Sequence, residues 1–104
     1  MTVLTKENIE AEISNCTGAA VIDIYADWCA PCKMLAPIIE ELSLELPDVK
    51  FFKVNVDKER EIAAMFKVSS IPMVAVVKNN TLVDFRVGYC SKDELRDFIT
   101  ENAN

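Results

Sequence analysis

The spacing of apolar residues in the first half of the chain predicts a helix, a strand and a second helix. Apolar side chains four positions apart predict a first helix from Thr5, its cap, to about Asn15. The run Ala20–Tyr25 is apolar except for one aspartate, which is typical of a strand buried on both faces. Over Cys32–Leu46 the apolar positions follow the spacing of an amphipathic helix, in which Pro37 predicts a kink.

In the second half of the chain, predicted strands and helices continue to alternate, and the chain ends in a predicted hairpin and a helix. Its patterns predict a strand, a helix and two further strands at Val49–Val56, Glu59–Phe66, Met73–Lys78 and Thr81–Val87. Asn79 and Asn80 separate the last two strands, and because both tolerate positive φ they predict a tight antiparallel turn. Ser91 and Glu94 have the spacing of a capping box, which predicts the start of a final helix.

This order of elements, α-β-α-β-α-β-β-α, predicts an α/β fold. Alternating helices and strands favour right-handed parallel crossovers, and the closing hairpin adds an antiparallel edge. We therefore expect a three-layer α/β/α sandwich around a mixed central sheet. A chain of 104 residues has the size of one ordinary domain, so we expect a single domain over residues 1–104.

Charge and hydropathy argue against two classes of partner. Seventeen acidic and eleven basic residues give a formal net charge of −6, which repels phosphate backbones and anionic membranes. The longest apolar runs, such as Met73–Val77, have about five residues, far fewer than the roughly twenty that span a bilayer. Met1–Glu7 has neither the basic head nor the apolar core of a signal peptide. We therefore expect a cytoplasmic protein that binds neither nucleic acid nor membranes.

The cysteines and the missing histidines shorten the list of possible reactions. Four cysteines, at positions 16, 29, 32 and 90, are too few and too unevenly spaced for a secreted disulfide scaffold. The absence of histidine excludes Ser/His and Cys/His nucleophile systems and removes the commonest zinc ligand. We expect no bound metal and no cofactor, so the chemistry falls to the thiols.

Cys29 and Cys32 form a Cys-x-x-Cys pair between the predicted buried strand, which ends at Tyr25, and the predicted amphipathic helix over Cys32–Leu46. Two thiols three positions apart in a first helical turn can reach disulfide geometry, so the pair can cycle between dithiol and disulfide. The helix N-terminus stabilises negative charge, and we expect it to lower the pKa of Cys29, the more exposed sulfur and the predicted nucleophile. Cys32, expected to be more buried, is the predicted resolving thiol. Pro31 restricts the turn and removes an amide donor.

Two other interpretations of this pair stay open at this point. A Cys-x-x-Cys is also half of many zinc sites, but Cys16 and Cys90 stand alone and offer no matching second half. The two cysteines could also be inert core residues, but an adjacent Trp28 and an intervening proline favour an exposed turn. Redox chemistry is the favoured interpretation.

The residues around the pair resemble the active-site segment of the thioredoxin family. Residues 26–37 read ADWCAPCKMLAP. Further matches are the family's buried aspartate, a nearby lysine, the Ile-cis-Pro and the glycine beyond the hairpin, found here as Asp23, Lys53, Ile71-Pro72 and Gly88. The resemblance covers nearly the whole chain and implies a thioredoxin-like fold. The chain departs from the family's usual glycines at Ala30 and Asn80.

The resemblance also implies roles for Asp23 and Lys53. Asp23 would accept the proton of Cys32 when the mixed disulfide is broken, and Lys53 would tune Asp23. The residues alone leave alternatives open. Burial of an aspartate is costly, so Asp23 could instead be a hydrogen-bonded residue at a strand end, and Lys53 could be an ordinary strand lysine.

The resemblance further implies a groove in which client backbone pairs with the cis-proline loop like an added strand. Without it, Pro72 would be interpreted as a strand-start proline and Trp28 as a core aromatic. The residues expected to bind substrate are Trp28, Ala30 and Pro31 beside the cysteines, Ser70, Ile71 and Pro72 in the loop, and Val87, Gly88 and Tyr89 opposite.

Three functions compete at this stage. The favoured one is a general protein-disulfide reductase of the cytoplasm, a monomer recharged by a thioredoxin reductase and acting on disulfide-containing client proteins. A dithiol oxidase or disulfide isomerase would use the same chemistry in the other direction, but such relatives usually carry histidine between the cysteines. The third is an adaptor that uses the groove only for binding. Cys90 could form a second disulfide or simply pack, and Cys16 offers no mechanism.

Overall fold

Five strands and four helices form in the computed structural model, which describes residues 1–104. The strands are β1 (Thr2–Val3), β2 (Ala19–Tyr25), β3 (Lys50–Asn55), β4 (Met73–Lys78) and β5 (Thr81–Val87). The helices are α1 (Ile9–Ser14), α2 (Ala30–Glu45), α3 (Arg60–Met65) and α4 (Lys92–Ala103). Every predicted element is present within a few residues of its expected bounds, and β1 is an addition. No helix combines the length and the apolar character needed to cross a membrane.

The strands form one mixed sheet in the order β1-β3-β2-β4-β5. β3 runs parallel to both β1 and β2, whereas β4 runs antiparallel to β2 and to β5. The α/β fold with a closing hairpin is therefore confirmed. The expected parallel crossover is absent at the connection through α3, because β4 lies on the other side of β2 from β3 and runs antiparallel to β2.

The two faces of the sheet carry separate apolar cores, and β2 contributes to both. Val21 packs with Leu35, Ile39 and Ile99 on the face covered by α2 and α4. The next residue, Ile22, packs in the other cluster, which also contains Phe52, Val54 and Ile62 beneath α1 and α3. Because side chains alternate along a strand, Asp23 has the same orientation as Val21. That orientation directs it toward the face on which α2 lies.

Three boundaries differ from the sequence-based expectation for local reasons. Thr5 begins a turn in which its Oγ1 accepts from the Asn8 backbone N–H, and regular α1 starts only after Asn8. α2 begins at Ala30, so Cys29 is its N-cap residue and the helix continues through Pro37 without a break. β1 spans two residues, which is too short to leave a periodic pattern in the sequence.

The final helix begins at the predicted capping box and is joined to α2 by ion pairs. The Ser91 side chain accepts from the Glu94 backbone N–H, and the Glu94 carboxylate accepts in return from the Ser91 backbone. Lys92 Nζ lies 2.6 Å from a Glu45 carboxylate oxygen of α2. These contacts hold α4 beside the helix that carries the cysteine pair.

The β4–β5 turn contains two residues with positive φ, and the contribution of this conformation to stability can be tested. Asn79 and Asn80 have φ of 53° and 62°, a conformation that costs most residues about 1 kcal/mol but suits asparagine and glycine. We expect Asn80→Ala to lower the free energy of unfolding by about 1 kcal/mol, measured by urea denaturation. Asn80→Gly is the matched control and should lose nothing; an equal loss in both variants would contradict the conformational explanation.

Candidate active site

The cysteine pair lies at the N-terminus of α2, directly after β2. The Cys29 and Cys32 sulfurs form a disulfide in this structure, and the two Cα atoms are 5.2 Å apart. Cys29 Sγ also accepts a hydrogen bond of 3.2 Å from the Cys32 backbone N–H, so the sulfur itself caps the helix. Unpaired amides and the helix dipole both stabilise negative charge at this position. A thiolate at Cys29 would be stabilised there.

The expected difference in exposure between the two cysteines is wrong in this structure. Cys29 is 4% exposed and Cys32 is 5% exposed. The reason is that Val56 and Ile71 pack against the small cluster that Ala26 forms with both cysteines. The two residues differ instead in the space that each lines: Cys29 lines an outer groove and Cys32 lines an inner cavity.

The inner cavity is a space of about 290 Å³ that Cys32 shares with Asp23 and Lys53. Asp23 on β2 and Lys53 on β3 are directly paired in the parallel register, which places both on one side of the sheet. Burial raises the pKa of Asp23 from 3.8 to about 7, and the nearby positive charge of Lys53 opposes part of that rise. Asp23 therefore titrates near neutral pH beside the inner cysteine.

Tyr25 and Asp27 also line the inner cavity, between Asp23 and the cysteine pair along the chain. Burial raises the pKa of Tyr25, and the negative charges of Asp27 and Asp23 raise it further. The phenol therefore stays protonated at neutral pH. Asp23 and Lys53 are paired neighbours of opposite charge on β2 and β3, and Lys33 and Glu40 of α2 line the same cavity.

The outer groove is a mostly apolar surface cavity of about 570 Å³ beside Cys29. Five of the predicted substrate-binding residues line it: Trp28, Ala30, Pro31, Ser70 and Ile71. Sequence reasoning missed four further lining residues, Val56, Ala63, Val68 and Ser69. They come from the loop just beyond β3, from α3 and from the loop after α3, and no local motif connects those segments with the cysteines.

Pro72 and the residues after β5 lie beside this groove but do not line it. Pro72 is buried, and the Ile71–Pro72 peptide bond is cis. The Gly88 backbone N–H donates to the Pro72 carbonyl oxygen at 2.8 Å, and Val87 pairs with Met73 across the sheet. These contacts place Val87 and Gly88 next to the cis-proline loop, and the part that Val87, Gly88 and Tyr89 take in client binding stays a prediction.

The other two cysteines lie away from the pair. Cys90 is buried in the core between the sheet and the α2/α4 layer, and burial raises the pKa of its thiol. Cys16 is half-buried and packs against the opposite core, with its sulfur 3.6 Å from the Gly18 carbonyl oxygen. Both are free thiols. No group of three or more Cys, Asp or Glu side chains is arranged to hold a metal ion.

Comparison with known proteins gives a consistent picture over nearly the full chain. A family model described as Thioredoxin matches residues 1–101. The chain is 39% identical to a thioredoxin of Chlamydia trachomatis over 100 residues, which are 96% of each protein. It is 37% identical to a thioredoxin of Bacillus subtilis over 99 residues, 94% of this chain and 93% of the relative.

A solved structure matches equally well. The X-ray structure of Fasciola hepatica thioredoxin superimposes with a TM-score of 0.91 at 38% sequence identity. The match covers 98% of this chain and 99% of that one. Fold and sequence thus point to the same family.

Proposed function

This chain belongs to the thioredoxin family and is a disulfide oxidoreductase that works by dithiol–disulfide exchange, and from that premise we propose the role of each site residue. Cys29 is the nucleophile, Cys32 the resolving thiol, Asp23 the proton acceptor and Lys53 the residue that tunes it. The observation that carries this proposal is the division of the site. Cys29 lines the outer groove where a client can bind, whereas Cys32 shares the inner cavity with Asp23.

In the first step the Cys29 thiolate attacks one sulfur of a client disulfide. The client S–S bond breaks, a bond forms between Cys29 and the client, and the second client sulfur leaves as a thiolate that takes a proton from water. The free amides at the start of α2 favour the charged form of Cys29, the form that reacts. The product of this step is a mixed disulfide at the outer groove.

In the second step Cys32 releases the client. Asp23, in its carboxylate form, takes the Cys32 proton, and the resulting thiolate attacks the Cys29 sulfur. The mixed disulfide breaks, the Cys29–Cys32 disulfide forms, and the remaining client sulfur leaves as a thiolate. The client has gained two electrons and the cysteine pair has lost two. Because the pKa of Asp23 is about 7, both of its protonation states are populated at neutral pH.

The outer groove suits brief contact with many clients. Its lining is mostly apolar, and it includes the exposed Ser70 and the half-buried Ile71 of the cis-proline loop beside Cys29. Backbone pairing with an extended client segment depends little on the client's side chains, so one groove can accept many sequences. We propose that the clients are proteins with accessible disulfides, including enzymes that pass through a disulfide in their cycle.

We propose reduction as the working direction, in the cytoplasm, by a monomer that a thioredoxin reductase recharges. Pro31 stands between the cysteines, and the chain has no histidine. Oxidising relatives usually carry a histidine between the cysteines. That histidine stabilises the reduced thiolate and so makes their disulfide a stronger oxidant. The absence of such a residue favours a reducing pair.

The test is the reduction potential of the Cys29/Cys32 pair, titrated against a thiol buffer. Trp28 is the only tryptophan and lies next to Cys29, so its fluorescence can follow the titration, with thiol alkylation as a second readout. We expect a midpoint near or below about −250 mV. A midpoint between about −200 and −120 mV would instead support an oxidase or isomerase, and no transition would leave the adaptor function.

A further inference from the structure

β5 is a free edge of the sheet, and it carries exposed apolar side chains. It lies at one end of the strand order, and all its residues except the half-buried Arg86 are exposed. The exposed apolar residues are Leu82, Val83, Phe85 and Val87. Because an edge strand presents unpaired backbone N–H and C=O groups, an apolar edge of this length is a surface on which another strand can pair.

Two hydrogen bonds show which backbone groups of β5 face this free edge. The Gly88 N–H donates to the Pro72 carbonyl oxygen, on the side of β4. The Phe85 N–H donates instead to a side chain of its own strand. Because successive backbone groups of a strand point to opposite sides, the N–H groups of Phe85 and Val87 both point away from β4. These two amides are the donors that a further strand would use.

Asp84 occupies the first of these donors. Its Oδ1 accepts from the Phe85 backbone N–H at 2.8 Å, so the carboxylate lies along the edge where a second strand would place a carbonyl oxygen. The β4–β5 register also shifts at this point, between Val76 opposite Asp84 and Val77 opposite Leu82. Such a bulge twists an edge strand and interrupts its ladder. Asp84 therefore covers the free edge at the end of the bulge.

We propose that β5 is a strand-pairing surface for a second copy of this chain, and that Asp84 keeps it closed by occupying the Phe85 amide. The strand suits antiparallel two-fold pairing centred on Phe85. In that register the Phe85 N–H of each copy would donate to the Phe85 carbonyl oxygen of the other, and the two phenyl rings would be direct neighbours. Pairing cannot form while the carboxylate holds that N–H.

The charges on β5 are complementary to a second copy in this register. Asp84 of one copy would lie opposite Arg86 of the other, whereas a register centred on either residue would place like charges opposite each other. Arg86 already has a partner in Glu94 at 3.1 Å, so pairing leaves no charge without a counterion. Charge at this edge therefore favours pairing, and the occupied amide is what opposes it.

Pairing through β5 would end at two chains. Each chain has one edge of this kind, because the opposite edge, β1, has only two residues and cannot continue the sheet. A two-fold pair is then a closed dimer and not an open fibre. The inference rests on the proposed function in one respect, because that function assigns the activity to a monomer, and Asp84 is the residue that maintains the monomer.

The test compares Asp84→Ala with Asp84→Asn, which retains a side-chain oxygen that can accept from the Phe85 N–H. Sedimentation equilibrium measures self-association, with excess thiol reductant so that no disulfide links two copies. We expect Asp84→Ala to lower the dissociation constant of the dimer by at least about tenfold, because each copy regains a free edge amide. Asp84→Asn should stay monomeric over the concentrations at which the parent chain is monomeric.

Two controls separate the edge amide from general effects of the substitution. Glu101→Ala removes the same negative charge from an exposed position on α4, so it should leave the chain monomeric. Val87→Pro removes the second outward N–H, and proline is tolerated where an edge N–H faces solvent. In the Asp84→Ala background it should weaken the dimer. Amide hydrogen exchange gives the location: at Phe85 and Val87 it should slow as the concentration of Asp84→Ala rises.

The inference is overturned if Asp84→Ala associates no more strongly than the parent chain, or if it associates without slower exchange at Phe85 and Val87. It is also overturned if Asp84→Asn or Glu101→Ala associates as strongly as Asp84→Ala, or if species larger than a dimer form. A parent chain that is already dimeric through β5 would contradict both this inference and the proposed monomer. Failure of the parent chain to reduce any protein disulfide would contradict only the proposed function, because sedimentation and amide exchange need no client.

Discussion

Cys29→Ser is expected to reduce client turnover to the rate of uncatalysed thiol exchange, whereas Cys32→Ser stops the reaction halfway. A serine hydroxyl at position 29 provides no thiolate, so the first bond to the client cannot form. With Cys32 replaced, Cys29 still attacks, but no thiol remains to release the client. The mixed disulfide should then accumulate to one client per chain, visible on a non-reducing gel and by intact mass.

The same pair of variants separates redox function from binding. An adaptor that only occupies the groove would keep its biological activity in Cys29→Ser. Cys90→Ser is the matched control: it removes a thiol that is buried in the α2/α4 core, so client turnover should be unchanged. Retention of full turnover in Cys29→Ser, or trapping of clients by Cys29→Ser instead of Cys32→Ser, would contradict the assigned roles.

The sequence alone predicted those features of the protein that depend on residues close together in the chain. The Cys-x-x-Cys pair at the start of a helix, the Asn79-Asn80 turn and the Ser91 capping box each occupy a few consecutive positions. Their physical signals are local hydrogen bonds and backbone preferences, which do not depend on the rest of the fold. Asp23 was recognisable because a lone carboxylate interrupts an otherwise apolar strand.

The parts that could not be predicted depend on contacts between distant segments. Burial of Cys29 arises from Val56 and Ile71, which reach it from the loop just beyond β3 and from the cis-proline loop. The contact between Trp28 and Asp57 links loops that follow adjacent parallel strands, and no sequence motif connects the two residues. The position of β4 beside β2 and its antiparallel direction are set by packing between distant segments, and neither leaves a periodic pattern in the sequence.

Asp23→Asn is expected to have opposite effects on catalysis and on stability. Without a carboxylate in the inner cavity, the Cys32 proton has no acceptor, and resolution of the mixed disulfide should slow by about ten- to a hundredfold at pH 7. Quenched-flow trapping of the mixed disulfide measures that step directly. In the parent chain the rate should rise with pH through about 7 as Asp23 loses its proton, and this rise should be absent in Asp23→Asn.

The effect on stability follows from the raised pKa of Asp23. In the unfolded chain this carboxyl loses its proton near pH 3.8, whereas in the folded protein it keeps it until about pH 7. Between these values folding takes up a proton, so the free energy of unfolding falls as pH rises and stays low above pH 7. The amide introduced by Asp23→Asn does not titrate, so between about pH 5.5 and 8 the stability advantage of this variant should grow by about 2 kcal/mol.

Urea denaturation of the disulfide form measures this difference without titration of Cys29 or Cys32. Lys53→Met is a second variant, which keeps the Asp23 carboxyl but removes the positive charge that lowers its pKa. Its removal should raise that pKa further, extend the fall in stability above pH 7 and shift the rate profile to higher pH. A difference between Asp23→Asn and the parent chain that is constant with pH would show that Asp23 is ionised throughout. In that case burial would not have raised the pKa of Asp23 toward neutral pH, and Asp23 would be a weaker acceptor for the Cys32 proton than we propose.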